Sequence, residues 1–231
     1  MRRCYLERVL PAGGTVPREV QVRQAGEMWL KQGGRRLRFT AVEQFAVEEV
    51  AFSWRARFPI VPFVSLQVVD RYASGEGSLE GQLFRLVPVM RASGPELSVG
   101  EAMRYLAELP WVPHAMLANP ELEWSELDAQ TVEVATRVGS ARAAVRLGFD
   151  AAGDIVGAST DVRPRPEGKA SVPTPWGGLF YDYGVLDGIR VPLQAEVSWE
   201  LPEGPFTYWR GTITSLELSP ESAQGYEPPS S

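Results

Sequence analysis

The sequence predicts a mainly β protein: a curved antiparallel half-barrel sheet of about ten to twelve strands wrapping a central helix, with a short helix at the N-terminus. Three observations carry this. Apolar and polar residues alternate at period two through most of the chain. No strand–helix–strand alternation is present, which leaves an antiparallel sheet. Helical spacing is confined to residues 2–10 and 98–109. A sheet of so many strands has to curl, and a helix inserted near mid-chain is the natural plug for its concave side.

The elements follow in order. Residues 2–10 form a short amphipathic helix ended by Pro11-Ala12-Gly13-Gly14. Val20 and Val22 then alternate with polar neighbours, and Gly33-Gly34 separates Glu27–Gln32 from Leu37–Phe45 as a hairpin. Phe52–Phe58 alternates cleanly, and Phe63–Tyr72 carries Val64, Leu66, Val68, Asp70 and Tyr72 on one face. Gly75-Glu76-Gly77 turns into a strand over Ser78–Val89. Ser98 and Glu101 have the spacing of a capping box, which predicts a helix start near Ser98 worth roughly 1 kcal/mol. Met103, Leu106 and Ala107 share a face of that helix, and Pro110 stops it. Trp111–Leu117 reads as an irregular exit.

The second half returns to strands. Thr131–Val138 and Ala141–Phe149 make a hairpin across Gly139-Ser140. Ile155–Arg165, Val172–Tyr183, Arg190–Glu200 and Phe206–Leu218 complete the sheet. Val191, Leu193, Ala195, Val197 and Trp199 face one way and their neighbours the other, as in a sheet with one wet face. No linker divides the chain, so residues 1–220 read as a single domain. Residues 221–231, rich in Ser, Pro and Glu, read as a disordered tail.

Composition removes several function classes. A net charge of −6 argues against nucleic acid as a partner. No apolar run is long enough to span a membrane, and no apolar core of a signal peptide follows Met1-Arg2-Arg3, so a cytoplasmic location is expected. Cys4 stands alone, a half-buried thiol by expectation, with no disulfide framework. His114 is the only histidine, which excludes a metal centre built on two or more imidazoles. No phosphate loop, dinucleotide fingerprint, nucleophile elbow or calcium loop is present, and no cofactor is expected.

The densest run of functional side chains is Arg104 to His114, which holds two charges, two aromatics and the histidine. Arg104 and Glu108 lie at i, i+4 and can pair, with Glu101 competing for the same guanidinium. A surface ion pair is the ordinary reading of that trio. The alternative makes Arg104 the anion or carbonyl anchor of a cleft. Asp70 points to the same side as Val68 and Tyr72, and an inward carboxylate has to be paired or protonated; Arg104 and Arg163 are the available partners. Seven tryptophans exceed the needs of a half-barrel core, so some of them line a pocket for an apolar or aromatic ligand.

The stretch Arg104-Tyr105-Leu106-Ala107-Glu108-Leu109-Pro110-Trp111-Val112-Pro113 resembles the R-Y-L-A-E-x-x-W-x-P signature of an uncharacterised bacterial family, a domain of unknown function. Phe39-Thr40-Ala41 with Gln44, Phe52-x-Trp54-x-Ala56, Asp70-x-Tyr72, Pro175-Trp176-Gly177 and Gly188-x-x-Val191-Pro192 extend the resemblance over about residues 4–218. His114 departs from the small polar residue expected of relatives. The strand–helix–strand order is similar to the half-barrel of bacterial lipoprotein carriers and receptors of the LolA/LolB type, which implies a curved sheet enclosing an apolar cavity.

The expected function is binding of a lipophilic or aromatic small molecule in that cavity. Trp54, Tyr72, Arg104, Tyr105, Trp111, Arg163, Trp176, Tyr183 and Trp199 are the expected ligand contacts. The alternative is a cofactor-independent enzyme of small-molecule metabolism, such as a cyclase, isomerase or dehydratase. In it Asp70, Glu108 or His114 would move protons and Arg104 would hold an oxyanion.

Overall fold

The computed structural model describes residues 1–83, 87–168 and 170–219. A short helix, α1 (Arg2–Val9), precedes six strands: β1 (Glu19–Trp29), β2 (Arg36–Ala46), β3 (Phe52–Val61), β4 (Val64–Ala73), β5 (Glu76–Leu83) and β6 (Val87–Ser93). Then come α2 (Pro95–Ala107), a 3-10 turn (Leu109–Trp111) and α3 (Pro113–Ala118). Seven strands follow: β7 (Glu123–Glu126), β8 (Thr131–Val138), β9 (Ala141–Phe149), β10 (Ile155–Glu167), β11 (Ala170–Leu186), β12 (Ile189–Leu201) and β13 (Gly204–Ser219).

The strands form one antiparallel sheet in the order β6-β5-β4-β3-β2-β1-β13-β12-β11-β10-β9-β8-β7. Two up-and-down meanders meet where β1 pairs with β13, from Glu19 opposite Ser219 to Met28 opposite Trp209. β6 and β7 lie at opposite edges, so the chain between them has to cross the sheet. α2 makes that crossing over the concave face and packs on strands of both meanders, including β4, β5, β8, β9 and β10. Its Ala102, Met103, Tyr105 and Leu106 are buried against inward residues of the sheet, including Phe45, Phe52, Val134 and Leu147.

The mainly β half-barrel and its N-terminal helix are as expected, with thirteen strands rather than about ten to twelve. The added ones are the four-residue edge strand β7, too short to show a period, and a division of Ser78–Val89 into β5 and β6, whose junction lies outside the described residues. The tail over 221–231 also lies outside them. Three local expectations are corrected. Helix α2 starts three residues before Ser98, because Pro95 occupies its first turn after Gly94, whose φ of 131° suits glycine. Ser98 therefore makes no capping box; its hydroxyl donates to the Gly94 carbonyl (3.0 Å) and accepts from the Gly77 amide of β5 (2.9 Å). The exit after α2 is helical rather than irregular. Pro110 and Pro113 lack an N–H, which ends one helix but also suits the first turn of the next. Cys4 is exposed, on the outer side of α1.

The two rims of the half-barrel differ. One is closed by α1 and α3, where Arg8 and Arg190 both hold Asp154 (Arg8 Nη2 to Oδ1 3.3 Å; Arg190 Nη2 to Oδ2 2.8 Å). Tyr5 of α1 sits edge-on to Phe149 there, 6.0 Å between centroids. The other rim consists of hairpin ends, among them Leu30 between β1 and β2 and the turn Pro62-Phe63 between β3 and β4. Leu30 and Phe63 are both exposed, and Phe63 has the positive φ of 67° that bulky residues rarely adopt.

Candidate functional site

Toward the open rim, α2 and the concave sheet leave a cavity of about 330 Å3. Its walls are apolar: Trp54 and Phe58 of β3, Leu66 and Val68 of β4, Trp176, Val197 and Trp209 from the second meander, with Leu30 and Met90 toward the mouth. Asp70, Arg104, Glu108, Arg163 and Tyr208 give it a polar inner end. The volume is near the lower end of the roughly 300–1,000 Å3 range of small-molecule sites.

Arg104 leaves the last turn of α2 and meets a carboxylate at each of its three nitrogens. Nη2 donates to Glu43 (2.7 Å), Nη1 to Asp70 (2.7 Å) and Nε to Glu108 (2.9 Å). Its guanidinium also lies over Phe52 and Trp54, 4.8 and 5.2 Å from the ring centroids. Glu43 is wholly buried and accepts from Gln24 (2.7 Å), which in turn accepts from the Trp54 indole N–H (2.9 Å). The trio is thus no surface ion pair. Removal from water alone would lower the Arg104 pKa, but Glu108, Glu43, Asp70 and Glu101 together raise it well above its ordinary value.

Arg163 leaves β10 and stacks on Trp176, 4.2 Å from the ring centroid. Glu101, one helical turn before Arg104, turns toward it rather than toward Arg104, with Arg163 Nη2 at 3.8 Å. That distance is too long for a hydrogen bond. Arg163 Nη1 is buried without a partner. Behind it Trp176 donates its indole N–H to the Tyr208 hydroxyl (3.0 Å), and Trp199 stacks on Tyr208 with centroids 6.1 Å apart.

Four carboxyls and two guanidiniums in one apolar hollow cannot all be ionised without leaving net negative charge. Burial, then the nearby Asp70, raises the Glu101 pKa to about 8. Burial, then Glu108, raises that of Glu43 well above its ordinary value. Glu101 therefore holds a proton at neutral pH. Asp70 Oδ1, Glu101 Oε2 and Glu108 Oε2 are buried and lack a donor while every carboxyl is ionised. A proton on Glu101, facing Asp70, supplies the donor missing there.

Of the residues expected from sequence, the cavity brings together Trp54, Asp70, Arg104, Glu108, Arg163 and Trp176. Trp199 stands behind Arg163, and Trp111 stands behind Trp209 at 6.2 Å while donating to the Pro192 carbonyl (3.0 Å). Four lie elsewhere. Tyr72 borders a groove with Phe52 and Arg71. Tyr105 donates to the Ala46 carbonyl (2.8 Å). Tyr183 donates to Ile155 (2.8 Å), beneath Arg190 at the closed rim. His114 is buried beside α1, where loss of water lowers its pKa and keeps it neutral. Sequence reading missed Gln24 and Tyr208. Gln24 had a signal, a polar residue continuing the inward series Val20, Val22. Among the described residues no group of three or more His, Cys, Asp or Glu is arranged to hold a metal ion, and no helix is long and apolar enough to cross a membrane.

The chain belongs to DUF6920, a family of unknown function whose model matches residues 2–218. No curated protein is significantly similar in sequence. Two solved structures are similar over most of the chain at low identity. One is a LolA superfamily protein from Nitrosomonas europaea, at 9% identity over 94% of this chain and 93% of that one, with a TM-score of 0.48. The other is a DUF1329 family protein from Desulfovibrio piger, at 11% identity over 90% and 88%, with a TM-score of 0.46.

Proposed function

We propose that this member of a family of unknown function binds a lipophilic or aromatic small molecule in the concave cavity. The observation that supports this reading is an apolar hollow of about 330 Å3 that the protein's own side chains leave unfilled between α2 and the sheet. Close packing is the rule in protein interiors, and a void of that size forfeits contacts that a ligand would restore. The lone exposed thiol of Cys4 suits a reducing compartment, and a cytoplasmic location belongs to the same proposal.

A neutral fluorescent probe such as N-phenyl-1-naphthylamine tests it. Saturable binding is expected, competed by aliphatic and aromatic compounds. Filling the hollow by Val68→Trp or Leu66→Trp should abolish binding while the circular dichroism spectrum is kept. Equal binding by the filled variants would place the site elsewhere.

A second reading, a cofactor-independent enzyme such as a cyclase, isomerase or dehydratase, is favoured by one observation. Asp70 and Glu108 line the cavity, and Glu101, whose pKa is pushed up to about 8, stands beside Asp70, so a proton-holding carboxyl is within reach of others at one site. Turnover by the wild type and its loss in Asp70→Asn or Glu108→Gln, with ligand binding retained, would move the protein into that class.

A further inference from the structure

Two β-bulges stand at one wall of the cavity, and each aims a polar group inward. In β10 the register with β11 passes from Thr160 opposite Trp176 to Arg163 opposite Thr174, so β10 carries one extra residue there. Without it, the alternation Ala158, Thr160 would have turned Val162 toward the core. With it, Val162 is 55% exposed and Arg163 only 8%. In β13 the register with β12 passes from Val197 opposite Trp209 to Ser198 opposite Thr207, which leaves Tyr208 as the extra residue. Both Arg163 and Tyr208 border the cavity. Bulges are a common means of re-aiming side chains beside sites.

The group so placed has an unfilled donor. Arg104 gives each of its nitrogens to a carboxylate. Arg163 has only Glu101, at 3.8 Å, and its buried Nη1 has nothing. A guanidinium has five N–H donors in a plane and no acceptor, so the missing partner is an acceptor. Tyr208 already accepts from Trp176, which leaves its O–H free to donate toward the same space.

We propose that Arg163, helped by the Tyr208 hydroxyl, anchors the anionic oxygen headgroup of a single-chain amphiphile whose apolar body fills the cavity and points toward Leu30 and Met90. This deepens the binding reading above and rests on it. The headgroup chemistry is that of a carboxylate or a phosphate monoester, both of which take two N–H donors side by side. The modest volume suits one chain or one ring system rather than a lipid with several acyl chains.

Displacement of N-phenyl-1-naphthylamine from the full-length protein at pH 7 by decanoate, decyl phosphate, decanol and decylammonium tests the proposal. One of the two anions is expected to bind about ten- to a hundred-fold more tightly than decanol, and which one does so identifies the headgroup. Decylammonium should bind more weakly than decanol. In Arg163→Met the preference for the anion over decanol should vanish. Decanol equal to both anions, or decylammonium tightest, would overturn the anchor yet leave the apolar cavity as a binding site. Failure of all four to displace a bound probe would overturn both readings. Thermal unfolding checks the fold of Arg163→Met, and if it does not fold the wild-type series decides alone.

Discussion

Arg104 and Arg163 face the same cavity, and each has its guanidinium over a tryptophan ring. They differ in what surrounds their nitrogens. Arg104 is closed by Glu43 of β2, Asp70 of β4 and Glu108, which caps the C-terminus of α2. It ties the crossing helix to the first meander, and none of its nitrogens is left without a carboxylate. Arg163 has one distant carboxyl and a buried N–H with no acceptor. A buried charge with its fork filled acts as a joint, whereas a buried charge with its fork unfilled is ready for a ligand.

The largest test of this contrast is a pair of truncations. Arg104→Met strands Asp70 and Glu108 in an apolar hollow, and should lower the free energy of unfolding by about 3–5 kcal/mol, the range for breaking a buried ion pair from one side. Arg163→Met should lower it by only about 1 kcal/mol, chiefly the stacking on Trp176. Urea unfolding of both variants measures the two losses, and similar values would erase the contrast.

Next in size is the pH dependence. Glu101 keeps its proton in the folded protein up to about pH 8, well above the 4.5 of an ordinary carboxyl. Between those values the folded state binds more protons than the unfolded chain. Stability therefore falls as pH rises through that window, by at most about 1.4 kcal/mol per pH unit for one group. Glu43 is raised as well and acts in the same sense. Glu101→Gln should reduce the slope of melting temperature between pH 5 and 8 while leaving part of it to Glu43. An unchanged slope would mean that Glu101 is ionised when folded.

Smaller effects sharpen the Arg163 wall. Tyr208→Phe leaves the Trp176 indole N–H without its acceptor and should cost about 1 kcal/mol in chemical unfolding. His114 lines a separate groove with Arg2, Leu6 and Pro11. His114→Gln should leave probe affinity in the cavity unchanged, and any marked loss would join the two regions.

Much of the fold was legible because alternation is a local signal. Phe52–Phe58 and the hairpin from Thr131 to Phe149 occupy the expected strands, since side chains at period two can sort onto two faces in only one way. The approach of Arg104 to Asp70 was legible too, from an inward carboxylate on β4 and a lone cation on the covering helix. Arg163 was among the expected ligand contacts, but the means of its inward turn was not legible, because a bulge depends on the neighbouring strand and reverses the alternation after Thr160. Proline misled in the opposite direction. Pro110 was read only as a stop, yet it and Pro113 each open a helical turn, because a residue with no N–H to donate is harmless in a first turn, where no helical acceptor awaits it. Aromatic residues such as Tyr105 and Tyr183 carried no signal that separates a core hydroxyl on a backbone carbonyl from a pocket hydroxyl.

The seam between β1 and β13 also sets the order in which this molecule can be made. β1 can pair with β2 as soon as their short hairpin is synthesised, but its other edge waits for residues about two hundred positions later. Until then the first meander has a free edge in what will become the middle of the sheet, the kind of exposed ladder that recruits wrong strands. Pairings so distant in sequence slow the search for the native topology. Folding of this half-barrel should therefore be slow and late, completed by its last strand, and joining β13 directly ahead of β1 by circular permutation should accelerate it.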